Sequence, residues 1–160
     1  MARYHMHKEE CEITDVAAIE AILSAGAYAT LAFARGSEPY LVTLNYGYAA
    51  PNRALYFHSA NAGLKLDFMR ENPQVCGTVV KDRGYRQGQC SHAYSSVVFW
   101  GHVEFLETEA GKRLALGCMV DHLENDPESV RNRLLAKSRH FDGITVFMVT
   151  IEEMTGKAAH

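Results

Sequence analysis

Apolar residues along the chain fall into two kinds of spacing, and the spacing assigns most of the elements. Ala18, Ile19, Ile22 and Leu23 share one helical stripe, with Thr14 or Asp15 placed as an N-cap and Gly26 just past the last apolar position. A helix ending near residue 25 is therefore predicted. A strand follows over 28–35, and Gly36-Ser37-Glu38-Pro39 turns the chain into a second strand over 40–48. In that strand Tyr40, Val42, Leu44, Tyr46 and Tyr48 share one face; Leu41, Thr43, Asn45 and Gly47 share the other. The second face loses bulk and gains polar atoms as it proceeds. It suits a flat ligand laid against the strand, with backbone groups and Asn45 bonding its edge, and equally a half-buried strand whose polar face meets water.

The stretch from 55 to 73, LYFHSANAGLKLDFMRENP, organises the rest. It starts as a strand through Leu55, Tyr56 and Phe57. A turn of small residues, Ser59-Ala60-Asn61-Ala62-Gly63, leads into a helix with Leu64 and Phe68 on its expected apolar face. Asn72-Pro73 ends that helix. A strand, a small-residue turn and a helix N-terminus form a receptor for an anion, because free N–H groups and the positive end of the helix dipole converge there. His58, Ser59 and Lys65 stand where they can add donors to a phosphate. No GxGxxG or GxxxxGK[ST] motif is present, so the turn is either a phosphate cradle of another kind or an ordinary connection.

Beyond Pro73 the pattern predicts a strand over 74–82 carrying Val75, Val79 and Val80, then a polar, mobile excursion over 81–91. A long strand over 96–107 exposes Val97, Phe99 and neighbouring aromatics. Helices follow from Glu109 or Ala110 towards His122 and over 128–137, and a last strand runs over 144–151. Residues 1–12 form a loosely held N-terminal segment. About six strands, mostly joined by tight turns, point to a mainly β (α+β) fold: an antiparallel barrel with peripheral helices in one domain spanning 1–160.

Composition narrows the function classes. The chain has 160 residues, 48% hydrophobic and 22% charged, with a net charge of −3. That balance asks for neither nucleic acid nor an anionic membrane as partner. Apolar runs are far shorter than the roughly 20 residues of a membrane span, and Met1-Ala2-Arg3-Tyr4-His5 has no apolar signal core, so the cytoplasm is the expected location. Cys11, Cys76, Cys90 and Cys118 form no CxxC pair and are expected reduced, with Cys76 buried and inert. Cys90-Ser91-His92 and His5-Met6-His7 lack a second half at zinc spacing, so no metal site is expected. No acid–base pair is legible, and the catalytic residues are unassigned.

Several segments in order carry a resemblance: Pro39-Tyr40-Leu41-Val42-Thr43-Leu44-Asn45-Tyr46-Gly47-Tyr48, Leu55-Tyr56-Phe57-His58-Ser59-Ala60, Gly63-Leu64-Lys65 and Glu71-Asn72-Pro73-Gln74-Val75-Cys76. Together they resemble the pyridoxamine 5′-phosphate oxidase-related FMN-binding proteins. The segment Cys90…Tyr94-Ser95-Ser96-Val97-Val98…Gly101 is similar to the nitroimidazole-resistance branch of that family. The resemblance covers roughly 12–151. It implies a split β-barrel, assembled as a homodimer with FMN in clefts at the subunit interface. By the same resemblance His58, Ser59 and Lys65 hold the FMN phosphate, and Val42, Thr43, Leu44 and Asn45 line the isoalloxazine edge. Tyr94, Ser95, Ser96 and Trp100 come from the partner or cap the cleft. The oxidase proper holds its phosphate with more than one Arg or Lys; this turn offers Lys65, with Arg70 further along the helix. The implied activity is an FMN-dependent oxidoreductase or reductase acting on a small planar, nitro-aromatic substrate. The alternatives are a flavin-binding or sensing protein without turnover, and a split barrel that binds haem or a deazaflavin.

Overall fold

The computed structural model describes residues 6–136 and 141–160. Its elements run β1 (Glu12–Ile13), α1 (Val16–Ala25), β2 (Tyr28–Arg35), β3 (Glu38–Asn45), β4 (Gly47–Ala49), β5 (Ala54–Ala60), α2 (Leu64–Glu71), β6 (Gln74–Arg86), β7 (Ser91–Phe105), α3 (Glu109–Leu123), α4 (Pro127–Leu134) and β8 (Ile144–Ala159). The strands form one antiparallel sheet in the order β3-β2-β6-β7-β8-β5-β4, with β1 added to β8. The sheet curls but does not close, since β3 and β4 lie at its two ends and do not pair. This is a split barrel. Eight strands replace the expected six because the predicted strand over 40–48 is two strands and the two-residue β1 carries no periodic signal.

Tyr46 is the seam between β3 and β4. Its side chain is fully buried, and its hydroxyl donates a 2.6 Å hydrogen bond to the carbonyl of Leu23 in α1. Burial, helped by the neighbouring Tyr48, pushes its pKa well above the usual tyrosine value. The chain changes direction here, so the face alternation of β3 does not continue into β4. Gly47 consequently lies under α3 rather than on the Leu41–Thr43–Asn45 face where the alternation placed it. A Cβ on Gly47 would come within 2.7 Å of the N and Cα of Met119.

The barrel interior is filled by Leu31, Phe33, Leu55, Phe57, Val97, Phe99, Phe147 and Val149, with Ile19, Ile22 and Leu23 of α1 closing one side. Phe57 and Phe147 stack at 5.1 Å; each such fully buried side chain contributes about 1.5–3 kcal/mol. The expectation that Val97 and Phe99 are exposed is overturned, since both are completely buried. The residues of β7 that look outward are Tyr94, Ser96, Val98, Trp100 and His102.

Helix α1 begins at the cap Asp15, whose carboxylate accepts from the N–H of Ala17, and its buried stripe is Ile19, Ile22 and Leu23. Gly26 does follow it, but with an extended φ of −79°. Glycine is needed there because a Cβ would meet the Tyr46 hydroxyl at 2.4 Å and Val79 at 2.6 Å. Helix α2 buries Leu66, Phe68 and Met69 and leaves Leu64 47% exposed, so its apolar face is rotated from the expected Leu64–Phe68 stripe. Asn72 ends it: its side chain donates to the Ala34 carbonyl and accepts from Gln74 N–H.

Two segments expected to be loose are held. Residues 9–13 form a 3-10 turn and β1, paired with Gly156 and Lys157. Residues 81–91 are the outer part of a β6–β7 hairpin arm, with a bulge between Asp82 and Tyr85 and a hydrogen bond of 2.6 Å between Asp82 and His92. The helix expected to reach residue 137 ends at Leu134; position 137 lies outside the described residues, as does His5. None of the four cysteines forms a disulfide, and Cys76 is half-buried. No helix among the described residues is long and apolar enough to cross a membrane, and no three His, Cys, Asp or Glu side chains among them are grouped to hold a metal.

Candidate functional site

The turn between β5 and α2 is fixed from both sides. Asn61 donates through its side chain to the carbonyl of Asp142 at 2.8 Å and accepts from the Thr145 hydroxyl at 3.0 Å. No side chain caps α2, whose first closed turn is the Leu66 N–H to Gly63 carbonyl bond of 2.9 Å. The N-terminal donors of this helix therefore face the turn without an internal acceptor, which is the electrostatic condition for receiving an anion. Lys65 is half-buried and folds back over the turn, its Nζ 3.8 Å from where a Cβ of Gly63 would stand. Arg70, near the other end of α2, lies over the Phe105 ring at 5.6 Å and within 4.0 Å of Asp67. It is not part of the turn.

His58 and Ser59 do not act together through their side chains, because neighbours on a strand point to opposite faces. Ser59 is 8% exposed, and its hydroxyl donates to the Ala60 carbonyl at 2.9 Å. His58 looks the other way, onto the rim of a cavity beneath α3 and α4; the residue is exposed, and partial desolvation by its surroundings lowers its pKa.

On β3, Val42 and Leu44 turn inward and pack against the core, whereas Leu41, Thr43 and Asn45 look outward. The Thr43 hydroxyl shares a 2.9 Å hydrogen bond with that of Thr30, and the Asn45 amide donates to the Ala27 carbonyl at 3.0 Å. Asn45 thus spends one N–H on the loop before β2 and keeps its amide oxygen and its second N–H for a ligand. The outward face continues across the sheet in register. Leu41, Ala32, Cys76 and Trp100 form one row, and Thr43, Thr30, Thr78, Val98 and Thr155 form the next. It is a broad surface of small and apolar side chains. Tyr94, Ser96 and Trp100 share it, but Ser95 is 3% exposed and faces the opposite side, against α1. Within one chain β7 and β3 are three strand spacings apart, about 14 Å. A single copy therefore does not bring Trp100 to the β3 residues.

The sequence pattern did not reveal the role of α3, which lines several cavities. One, of about 690 Å³, is polar and lies between α3, α4 and β4–β5. Arg113, Cys118, Asp121, Arg131, Tyr48 and Tyr56 line it. The Tyr48 hydroxyl is buried without a hydrogen-bond partner, and desolvation raises its pKa. Burial, followed by the Asp121 charge, raises that of Cys118. Arg131 bonds Asp121, and Arg113 bonds Glu109 and the Leu135 carbonyl. The available signal was the spacing of Arg113, Gly117, Cys118 and Asp121, one stripe of a helix.

Residues 15–158 match the family model of pyridoxamine 5′-phosphate oxidase. The chain is 28% identical to a solved protein of Bacteroides thetaiotaomicron described in terms of 5-nitroimidazole antibiotic resistance, with 96% of this chain and 95% of that one covered at a TM-score of 0.77. A FAD-binding protein from Mesorhizobium loti is 27% identical, with 91% and 96% covered and a TM-score of 0.66. An uncharacterised protein of Rhizobium meliloti is 29% identical over 96% of this chain and 93% of its own length.

Proposed function

The chain belongs to the pyridoxamine 5′-phosphate oxidase family, and from that premise we propose that it is an FMN-dependent reductase of a small planar, nitro-aromatic substrate, working as a homodimer. The observation that carries this reading is the uncapped N-terminus of α2 with Lys65 folded over it. The anchored turn fits a phosphate monoester: backbone N–H groups supply directed donors, and Lys65 supplies one full charge.

Bound flavin would supply the electron transfer, accepting a hydride equivalent from a donor and passing electrons to the substrate. The chain's own contribution is placement. Lys65 and the α2 N-terminus hold the phosphate end. The outward groups of β3, Thr43 and the Asn45 amide oxygen, meet the ring edge together with the backbone of 42–45. A second copy seated on the row from Leu41 to Trp100 covers the ring from water and brings Tyr94, Ser96 and Trp100 to it. Covering that face satisfies two needs at once, because a contiguous apolar surface of this extent marks an interaction site.

The test is the ligand that comes with the purified protein. Flavin absorbance, with FMN and no FAD in the boiled extract, and NAD(P)H oxidation accelerated by a nitro-aromatic acceptor are expected. A Soret band, or a protein that takes up no flavin when FMN is added, overturns the reading. Bound FMN without turnover makes it a flavin-binding protein instead.

A further inference from the structure

The cavity bordered by His58 is separate from the flavin surface and unlike it. It measures about 480 Å³ and lies between α3, α4, β5 and β8. Leu116, Met119, Val120 and Leu123 of α3 form one wall at spacings of three and four residues; Val130 and Leu134 of α4 face them. Among the described lining residues, His58 and Glu124 are the polar ones. Native cores rarely keep voids larger than a water molecule, whereas small-molecule sites occupy roughly 300–1,000 Å³.

This space is held open by directed bonds rather than left by poor packing. Lys112, on the first turn of α3, donates to the carbonyls of Phe141 at 2.9 Å and Ile144 at 3.1 Å. The neighbouring Arg113 bonds the Leu135 carbonyl and lies over the Phe141 ring at 4.9 Å. Leu135, Phe141 and Ile144 are themselves lining residues, so two cations of α3 fix one rim of the cavity at both ends of the connection between α4 and β8.

We propose that this cavity binds a neutral, mostly hydrocarbon small molecule, aromatic or aliphatic, that carries one hydroxyl or carbonyl bonded to the His58 imidazole. The apolar walls exclude charged ligands, whose desolvation they do not repay. The Glu124 carboxylate at the rim repels anions in particular. A neutral imidazole offers one donor and one acceptor, so it serves either a hydroxyl or a carbonyl. Because His58 and Ser59 point to opposite faces of β5, the site stands whether or not the turn after Ser59 holds a flavin phosphate.

The probe is N-phenyl-1-naphthylamine, which fluoresces when it enters an apolar site, added to the full chain as purified. Saturable binding of one probe per chain is expected. Filling the cavity from either wall, by Leu116→Trp or by Val130→Trp, should weaken the probe at least tenfold while the circular dichroism spectrum is kept. Two variants on different helices guard against one that fails to fold. In competition, 1-naphthol should displace the probe about tenfold better than naphthalene, the worth of one hydrogen bond, and His58→Leu should remove that preference. Unsaturable binding, binding untouched by both Trp variants, displacement of the probe by riboflavin, or an unchanged preference for naphthol in His58→Leu each overturn the proposal.

Discussion

Gly47 of β4 touches the backbone of Met119 in α3 so closely that a Cβ would sit 2.7 Å from its N and Cα. The contact is backbone against backbone, so no side chain is free to swing away. Gly47→Ala should push α3 off the sheet and cost about 1–3 kcal/mol, the usual range for overpacking. Gly143→Ala is the control, since nothing lies within 4 Å of a Cβ there. Urea denaturation of both variants beside the parent measures the difference. Equal midpoints would mean that α3 is not seated on Gly47.

Lys65→Ala should weaken FMN by roughly one to two orders of magnitude, because a hydrogen bond to a charged group is worth about 1.5–3 kcal/mol. Riboflavin, which has no phosphate, should lose much less. Flavin fluorescence titration of both ligands into both proteins decides it. Equal losses would show that the lysine does not read the phosphate.

Val98 is the fourth of five residues in the outward row from Thr43 to Thr155. If a second copy covers that face, the dimer should bury more than about 1,000 Å², and Val98→Glu should place an unpaired charge within it. Light scattering should report a dimer for the parent and a monomer for the variant, with unchanged circular dichroism. A parent that is monomeric at micromolar concentration with FMN bound contradicts the arrangement.

His58 sets an acid dependence. Its pKa in the folded chain is lowered by partial desolvation, so the unfolded chain takes up the proton first as pH falls. The unfolded state then binds more protons, and stability rises with pH through this window. The contribution is complete above the unfolded value of about 6.5 and is lost progressively as pH drops towards the folded one. His58→Leu should therefore lose less stability than the parent between pH 7 and pH 5, read as urea midpoints at the two values. A parallel drop in both proteins would assign the acid sensitivity elsewhere.

Much of this was legible in the sequence because local signals and burial agree. Asp15 and Asn72-Pro73 bound their helices as their chemistry dictates, and Val42 and Leu44 face inward as the alternation says. The misreadings have separate causes. Ser96-Val97-Val98-Phe99-Trp100 has no polar alternation to fix which side is inside, and a shift of one residue exchanges the faces. Tyr46 ended the alternation of β3 without any turn residue to announce it, which misplaced Gly47. The strand after Val80 continues as an arm because β7 pairs with it, a fact of register that polar composition hides. At the site, Lys65 and the turn were visible as spacing. The cavities under α3 were not, since they depend on how α3 and α4 diverge from the sheet.

Strand β8 pairs with β7, β5 and β1. That gives assembly an order in time. The β6–β7 hairpin needs only a short turn to close, whereas β5 must wait for a partner more than half the chain away. Loop-closure entropy grows with that separation, and non-local pairing slows folding. Made in order from its N-terminus, the chain pairs β5 with β4 early but holds the other edge of β5 unpaired until β8 has been synthesised, so the barrel cannot be completed piecemeal as it emerges. In refolding, pulse-labelled hydrogen exchange should find β6 and β7 protected before β5. Simultaneous protection of all three would show instead that the sheet condenses in one event.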